Sequence, residues 1–351
     1  MSDITRIIKQ LNSNLSAQTN LSPSISPADM RGVFAEVLDG GASDLELGAM
    51  MAMCSAVATQ RHHGIYIEIL LGLLDAVRER VITLSAPRGE YRTVVLPNYG
   101  ELDAGNAVPL IALKLQRLGI PVLVHGALET SGGLANCGVF RELGVLPVAT
   151  RSQAELRLAE NGLALVPTAL ISPGLAAMMA LKSRLGISTP AHVLASLLMP
   201  LAATTALQSA PSFDMLQVAN VPCWLESLLG DSGAMGTTPT LVALAGPTCF
   251  GHMENRPRLI YKDAGRGVDG GEWQTLFDAE AASRSDPLRL PPVPADTRGF
   301  AAWIRQRLDG KLALPAPVVN QLACCIYGAG YVQDFNQAKA VAAVETGSLA
   351  A

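Results

Sequence analysis

Apolar side chains recur at helical spacing through the first ~85 residues. Ile4, Ile7, Ile8 and Leu11 lay one stripe along a helix. Ser26-Pro27-Ala28-Asp29 supplies a capping hydroxyl, a proline whose missing N–H costs nothing in the first turn, and an early acid; that helix stops at Asp39-Gly40-Gly41. Ser43-Asp44-Leu45-Glu46 reads as a capping box opening a third helix through Met53. After Gly64, a stripe of Ile67, Leu70, Leu71, Leu74 and Val77 predicts a fourth.

At Thr93 the pattern changes. Thr93-Val94-Val95-Leu96-Pro97 is a continuous apolar run of strand length, followed by a glycine-containing loop and a helix from Val108 to Leu118. Gly119-Ile120-Pro121 then turns into the strand Val122-Leu123-Val124. Strand, helix and strand make a βαβ unit, which predicts a parallel sheet. A helix ends over Val139 to Leu143, before Gly144, and Leu163 to Val166 is a further strand. Residues 173–206 read as helical again, with Gly186 and Pro190 between two helices. Strands are expected over Thr240–Ala245 and Leu259–Tyr261, and helices over Asp296–Leu308 and Pro317–Gly328. Arg266 to Pro294, rich in Gly, Asp and Pro, reads as an irregular surface excursion, and no internal repeat is visible. The expected fold is α/β with a small all-α domain. Residues 1–88, joined by about 173–206, form the helical domain; 89–172 and 207–351 form an α/β domain with a mostly parallel sheet flanked by helices.

Composition narrows the class. The chain is 49% hydrophobic and 16% charged, with few aromatics, as suits a sheet covered on both faces. No apolar run reaches ~18 residues, since Ala164–Leu181 is broken by Pro167 and Pro173-Gly174, so no membrane span is expected. The first residues lack the apolar core of a signal peptide, and a cytoplasmic location is expected. Six cysteines form no CxxC pair and read as buried thiols in a reducing compartment. The histidines are scattered, and adjacent His62-His63 would point apart on a helix, so no metal site is expected. A net charge of −4 disfavours nucleic-acid binding through bulk charge but leaves room for a local basic groove.

One stretch carries a family resemblance. Leu96-Pro97-Asn98-Tyr99-Gly100-Glu101-Leu102-Asp103-Ala104-Gly105-Asn106 stands where anthranilate phosphoribosyltransferases have a Gly-Thr-Gly-Gly-Asp-Gly loop and then Asn-x-Ser-Thr. Val124-His125-Gly126 stands where they have Lys-His-Gly-Asn-Arg, and Arg141-Glu142-Leu143-Gly144-Val145 is similar to their Leu-Glu-x-Leu-Gly-Val ending. Lys182-Ser183-Arg184-Leu185-Gly186-Ile187-Ser188-Thr189 resembles the Arg-x-x-Leu-Gly-Ile-Arg-Thr segment that lines their anthranilate pocket. Pro97-x-Tyr99, Asn106-x-x-Pro109-Leu110 and Val122-x-Val124-His125-Gly126 look more like the divergent YbiB-type branch.

Phosphoribosyl transfer needs backbone N–H groups around pyrophosphate, Mg²⁺ on carboxylates, and cations on the 5-phosphate. Here the loop keeps only Gly100, Pro97 removes an N–H, and Tyr99 puts bulk where the family has glycine. Pro109-Leu110 replaces the hydroxyls; Val124, Ala127 and Leu128 replace Lys, Asn and Arg. Gly246-Pro247-Thr248-Cys249-Phe250 stands where the paired Asp-Glu metal site should follow a strand, and the first acid after it is Glu254. No catalytic residue and no cofactor are therefore expected. Asn98, Tyr99, Gly100, Glu101, Asn106, His125 and Gly126 mark the degenerate donor loop, with Asn106 expected to cap the following helix. Glu101 and Asp103 are read as solvated acids and His125 as a locally bonded loop residue.

Basic residues are the other source of function. Lys182 and Arg184 precede a turn; Arg256, Arg258, Lys262 and Arg266 cluster around one acid, Asp263; Arg6 and Lys9 share a face of the first helix. The YbiB-type resemblance implies a homodimer that binds nucleic acid without sequence preference, and few aromatics means contacts mainly with phosphate. The alternatives are a pentosyl or phosphoribosyl transferase using Mg²⁺ and 5-phosphoribosyl pyrophosphate, and a sugar-phosphate sensor.

Overall fold

In the computed structural model the described residues are 3–16, 25–59, 63–99, 106–128, 136–187, 189–201, 206–210, 240–244, 258–262, 274–278, 294 and 296–345, and they divide between two units. Unit one takes its described residues from 1–82 and 168–195. Helix α1 (Asp3–Ser16) buries Ile4, Ile7 and Leu11. Helix α2 (Pro27–Leu38) opens on Ser26, whose Oγ accepts the Asp29 N–H at 3.2 Å. Helix α3 (Asp44–Thr59) runs on past Met53; its capping box is complete, Glu46 N–H donating to Ser43 Oγ and Ser43 N–H to Glu46 Oε2.

Helix α4 (His63–Arg78) departs from the expected stripe. Leu70, Leu74 and Val77 of that stripe are buried, together with Tyr66, Ile69 and Leu73, but Ile67 and Leu71 are only half-buried. Glu68, Asp75 and Arg78 mark the outer side of the segment, and the buried face lies away from them, where α4 crosses α2. Gly72 lies so close to Met30 and to the Pro27 carbonyl that any Cβ there would collide with them. Helices α8 (Thr168–Ile171), α9 (Pro173–Leu185) and α10 (Pro190–Ala195) join this unit, with Gly174 against the backbone of Leu38 in α2. Helix α9 ends on Gly186 at φ 69°, a left-handed position that favours glycine. The expected helical stretch stops at Ala195, and Ala206–Ala210 is a strand.

The described residues of unit two contain a seven-stranded sheet of order β3-β2-β1-β4-β5-β6-β7. Its strands are β1 (Thr93–Asn98), β2 (Val122–Gly126), β3 (Leu163–Pro167), β4 (Ala206–Ala210), β5 (Thr240–Leu244), β6 (Arg258–Lys262) and β7 (Gln274–Asp278). The pairs from β3 through β5 are parallel and the last two antiparallel, so the sheet is mostly parallel. Strand β7 lies inside the Arg266–Pro294 stretch read as irregular, which corrects that expectation: pairing with β6 supplies the order that its Gly- and Asp-rich surroundings hide. The helices are α5 (Val108–Arg117), α6 (Asn136–Glu142), α7 (Arg151–Asn161), α11 (Thr297–Leu308), α12 (Ala316–Gly328) and α13 (Phe335–Glu345). The core between sheet and helices holds Val94, Leu96, Ile111, Val124, Phe140 and Phe300, all without exposure. Among the described residues no helix is long and apolar enough to cross a membrane.

Candidate functional site

The sheet itself marks where a ligand would sit. The chain leaves β1 toward β2 and β3 on one side and returns to β4 on the other, so strand order reverses at β1. In open parallel sheets ligands bind outside the carboxyl ends of the strands at such a point. Here those ends carry Asn98, Tyr99, His125 and Gly126. Parallel pairing sets Pro97 beside His125 and Asn98 beside Gly126. Gly126 is required by that closeness, since a Cβ would collide with the Asn98 backbone.

Tyr99 and His125 close on each other. The Tyr99 hydroxyl lies 3.0 Å from His125 Nδ1, and the rings meet edge to face at 5.5 Å between centroids. His125 has no exposure, and among the described residues its buried Nε2 has no hydrogen-bond partner. Desolvation pushes its pKa down to about 3, so at neutral pH the ring is uncharged. Which nitrogen carries the proton follows from the Tyr99 bond: when the hydroxyl donates to Nδ1, Nε2 is a buried N–H donor. Asn106, also buried, lies one residue ahead of the N-cap Ala107 and accepts the N–H of Val108, the first residue of α5, on its Oδ1 at 2.9 Å.

The described side chains around the strand ends do not fit a phosphorylated sugar. Val124 and Pro97 offer no donor, His125 offers no charge, and Tyr99 is engaged with His125. Among the described residues no three His, Cys, Asp or Glu side chains could share a metal ion. Gly100, Glu101, Asp103, the 246–250 segment, Glu254, Arg256, Asp263 and Arg266 lie outside the described residues.

The chain has close counterparts in architecture. The Thermus thermophilus anthranilate phosphoribosyltransferase superposes with a TM-score of 0.67 at 17% identity, covering 99% of this chain and 95% of that one. The Saccharomyces cerevisiae enzyme, solved in complex with PRPP and Mg, gives 0.65 at 13% identity over 98% and 94%. In sequence, Escherichia coli YbiB is 26% identical over 93% of this chain and 95% of its own length. The chain is YbiB-like over nearly its whole length, and its fold is that of the anthranilate phosphoribosyltransferases. The Anaeromyxobacter anthranilate phosphoribosyltransferase is 24% identical over 62% of this chain and 60% of its own length. No protein-family model matches.

Within this YbiB-like chain the basic candidates are dispersed. Arg6 is paired with Asp3 and, at 3.0 Å, with Asp29; Lys9 lies one turn further along α1. Lys182 and Arg184 fall in the last turn of α9, where cations suit the carbonyl end of a helix. Arg184 pairs with Asp44 at 3.3 Å. His192, with its pKa pushed down to about 4 by burial and by the charge of Lys182, accepts the Thr189 N–H on Nδ1. Arg258 and Lys262 are the two ends of β6, opposite Leu244 and Thr240 of β5. The sequence reading passed over a further set of cations on α5, α6 and α11; its signal was a helix α11 with Arg298, Arg305 and Arg307 and no acid between its caps.

Proposed function

We propose that this chain is a non-catalytic, sequence-independent nucleic-acid-binding protein on a degenerate phosphoribosyltransferase fold, acting as a cytoplasmic homodimer. The observation that carries the non-catalytic half is the Tyr99–His125 pair. At the strand ends where this fold type holds its ligand, two neutral side chains bond each other, and His125 cannot supply the positive charge a phosphate needs. Loss of that site leaves binding as the remaining use of the scaffold. Supporting the nucleic-acid half are cations whose carboxylate partners are solvated: Arg184 is 67% and Asp44 84% exposed, a pair weak enough for a phosphate to displace.

The test is fluorescence anisotropy with a labelled single-stranded DNA of arbitrary sequence, at low and at moderate salt. The expected result is binding that persists for an unrelated sequence and weakens steeply as salt rises. Absence of binding at low salt sinks the reading. A second reading, a pentosyl or phosphoribosyl transferase of altered substrate, is favoured by the retained His125-Gly126 and by likeness to the yeast enzyme solved with PRPP and Mg. It requires Mg²⁺-dependent release of pyrophosphate from PRPP, which the first reading says will not occur. Thermal stabilisation by ribose 5-phosphate without turnover would instead mark a sensor.

A further inference from the structure

Arginines in unit one end on carboxylates. Arg6 pairs with Asp3 and Asp29, Arg31 with Glu79, Arg78 with Asp75, Arg80 with Asp39, and Arg184 with Asp44. Each of these arginines has to give up a carboxylate before it can meet a phosphate.

On α5, α6 and α11 of unit two the arrangement differs. Arg117 donates to the Leu308 carbonyl, Arg305 to the Glu142 carbonyl, and Arg307 to the Trp303 carbonyl at 3.3 Å. Leu308 and Glu142 are the last residues of α11 and α6, where carbonyls have no intrahelical donor. A carbonyl carries only a partial charge, so these bonds orient each guanidinium without neutralising it. Among the described residues no carboxylate lies within ion-pair distance of Arg117, Arg141, Arg305 or Arg307. Arg307 is buried flat over the Trp303 ring, 3.4 Å from its centroid; desolvation brings its pKa to about 10, which keeps it charged at neutral pH.

These cations adjoin one another. Arg117 ties the end of α5 to the end of α11, and Arg305 ties α11 to the end of α6. Arg298, two helical turns before Arg305, also reaches α6, where it pairs with Glu142 at 4.0 Å, and Lys311, after the end of α11, pairs with Asp309 at 3.4 Å. The acids on these helices and their caps are Asp296, Glu142 and Asp309, and α5 has none. Helix α11 alone spans about 18 Å at about 1.5 Å per residue.

We infer that the α5–α6–α11 face of unit two is the surface that tracks a nucleic-acid backbone. This rests on the nucleic-acid reading above and moves its main contacts away from Lys182 and Arg184. Arg117, Arg141 and Arg305 meet no described carboxylate, and Arg298 and Lys311 sit in solvated pairs that a phosphate can displace; such a row suits a linear polyanion, and guanidinium forks match phosphate oxygens. Trp303 is buried against Arg307 and offers no stacking platform, so the contacts are with phosphate and carry no sequence preference.

The experiment compares wild type with Arg141→Gln/Arg298→Gln/Lys311→Gln and with Lys182→Ala/Arg184→Ala, by anisotropy on single-stranded DNA over a salt series. The triple variant removes three charges and none of the carbonyl bonds, and an unchanged melting temperature verifies its fold. Each lost phosphate contact flattens the dependence of log K on log salt by about 0.7 on single strands. The triple variant is therefore expected to lose about 2 from that slope and to bind on the order of 100-fold more weakly near 0.1 M salt, converging with wild type near 1 M. Arg141→Lys/Arg298→Lys keeps the slope, and the α9 variant stays within a few-fold of wild type. If the triple variant binds like wild type while the α9 variant does not, this surface is refuted and the function stands. Failure of wild type to bind at all removes both. Displacement of the DNA by polyglutamate at equal charge concentration assigns the face to acidic peptides and overturns the inference.

Discussion

Acid adds a proton to a solvated histidine near pH 6.5, but the folded protein holds His125 neutral down to about pH 3 because its ring is wholly desolvated. Between those values the unfolded chain binds the proton and the folded chain does not. The folded pKa is depressed, so the stability this group permits is complete above about 6.5 and is lost as pH falls, by about 1.36 kcal/mol per pH unit, until the folded value is reached. At pH 4.5 the loss is about 2.7 kcal/mol. The measurement is urea unfolding of wild type and His125→Gln at pH 7, 5.5 and 4.5, followed by tryptophan fluorescence; unit two contains Trp303. Carboxylates and His192 titrate alike in both proteins, so the difference between their unfolding free energies isolates His125. The variant starts less stable at pH 7, having lost the bond to Tyr99, and the gap should narrow by about 1.4 kcal/mol at pH 5.5 and about 2.7 at pH 4.5. Curves that run parallel down to pH 4.5 would refute the reasoning. So would an imidazole NMR titration with a midpoint near 6, because it would mean that water reaches the ring.

Tyr99→Phe leaves His125 Nδ1 as a second buried nitrogen without a partner among the described residues, at a cost of about 1–3 kcal/mol in urea unfolding. The same change in the His125→Gln background should cost clearly less, and equal costs would deny the coupling. Asn106→Ala strands the Val108 N–H in a buried position; a loss of about 1 kcal/mol is expected from thermal melting, and none would mean that the bond is replaced by water. Gly72→Ala pushes α4 off α2 and should destabilise the protein by about 1–3 kcal/mol, seen in the helical circular dichroism signal during melting; wild-type melting would rule out the close crossing.

The caps on Ser26 and Ser43 and the bond from Val108 to Asn106 are legible in sequence because donor and acceptor sit within three residues of each other. The first βαβ unit is legible for a similar reason: a buried strand, a helix and a second strand follow in order, and chain chirality leaves little choice of how they pair. Of the loop residues singled out in sequence, Asn98, Tyr99, His125 and Gly126 come together at the strand ends, while Gly100 and Glu101 lie outside the described residues. Strand β7 was not readable, because its order comes from a neighbouring strand and not from its own pattern.

By itself, then, the sequence determined what is local: helix starts and stops, and the alternation of buried strand and crossover helix. Tertiary structure decided how closely α4 meets α2, since Gly72 lies where any Cβ would collide with Met30. It also made the neutral His125. Tyr99 lies 26 residues away in the chain and is brought to it by parallel register, and burial, not residue type, sets its proton affinity. The same holds for the basic face of unit two. Arg117 meets the Leu308 carbonyl across 191 residues and Arg305 the Glu142 carbonyl across 163. A sequence shows where cations are, but whether each ends on a carboxylate or on a helix end depends on packing, and that choice determines whether its charge remains available to a partner.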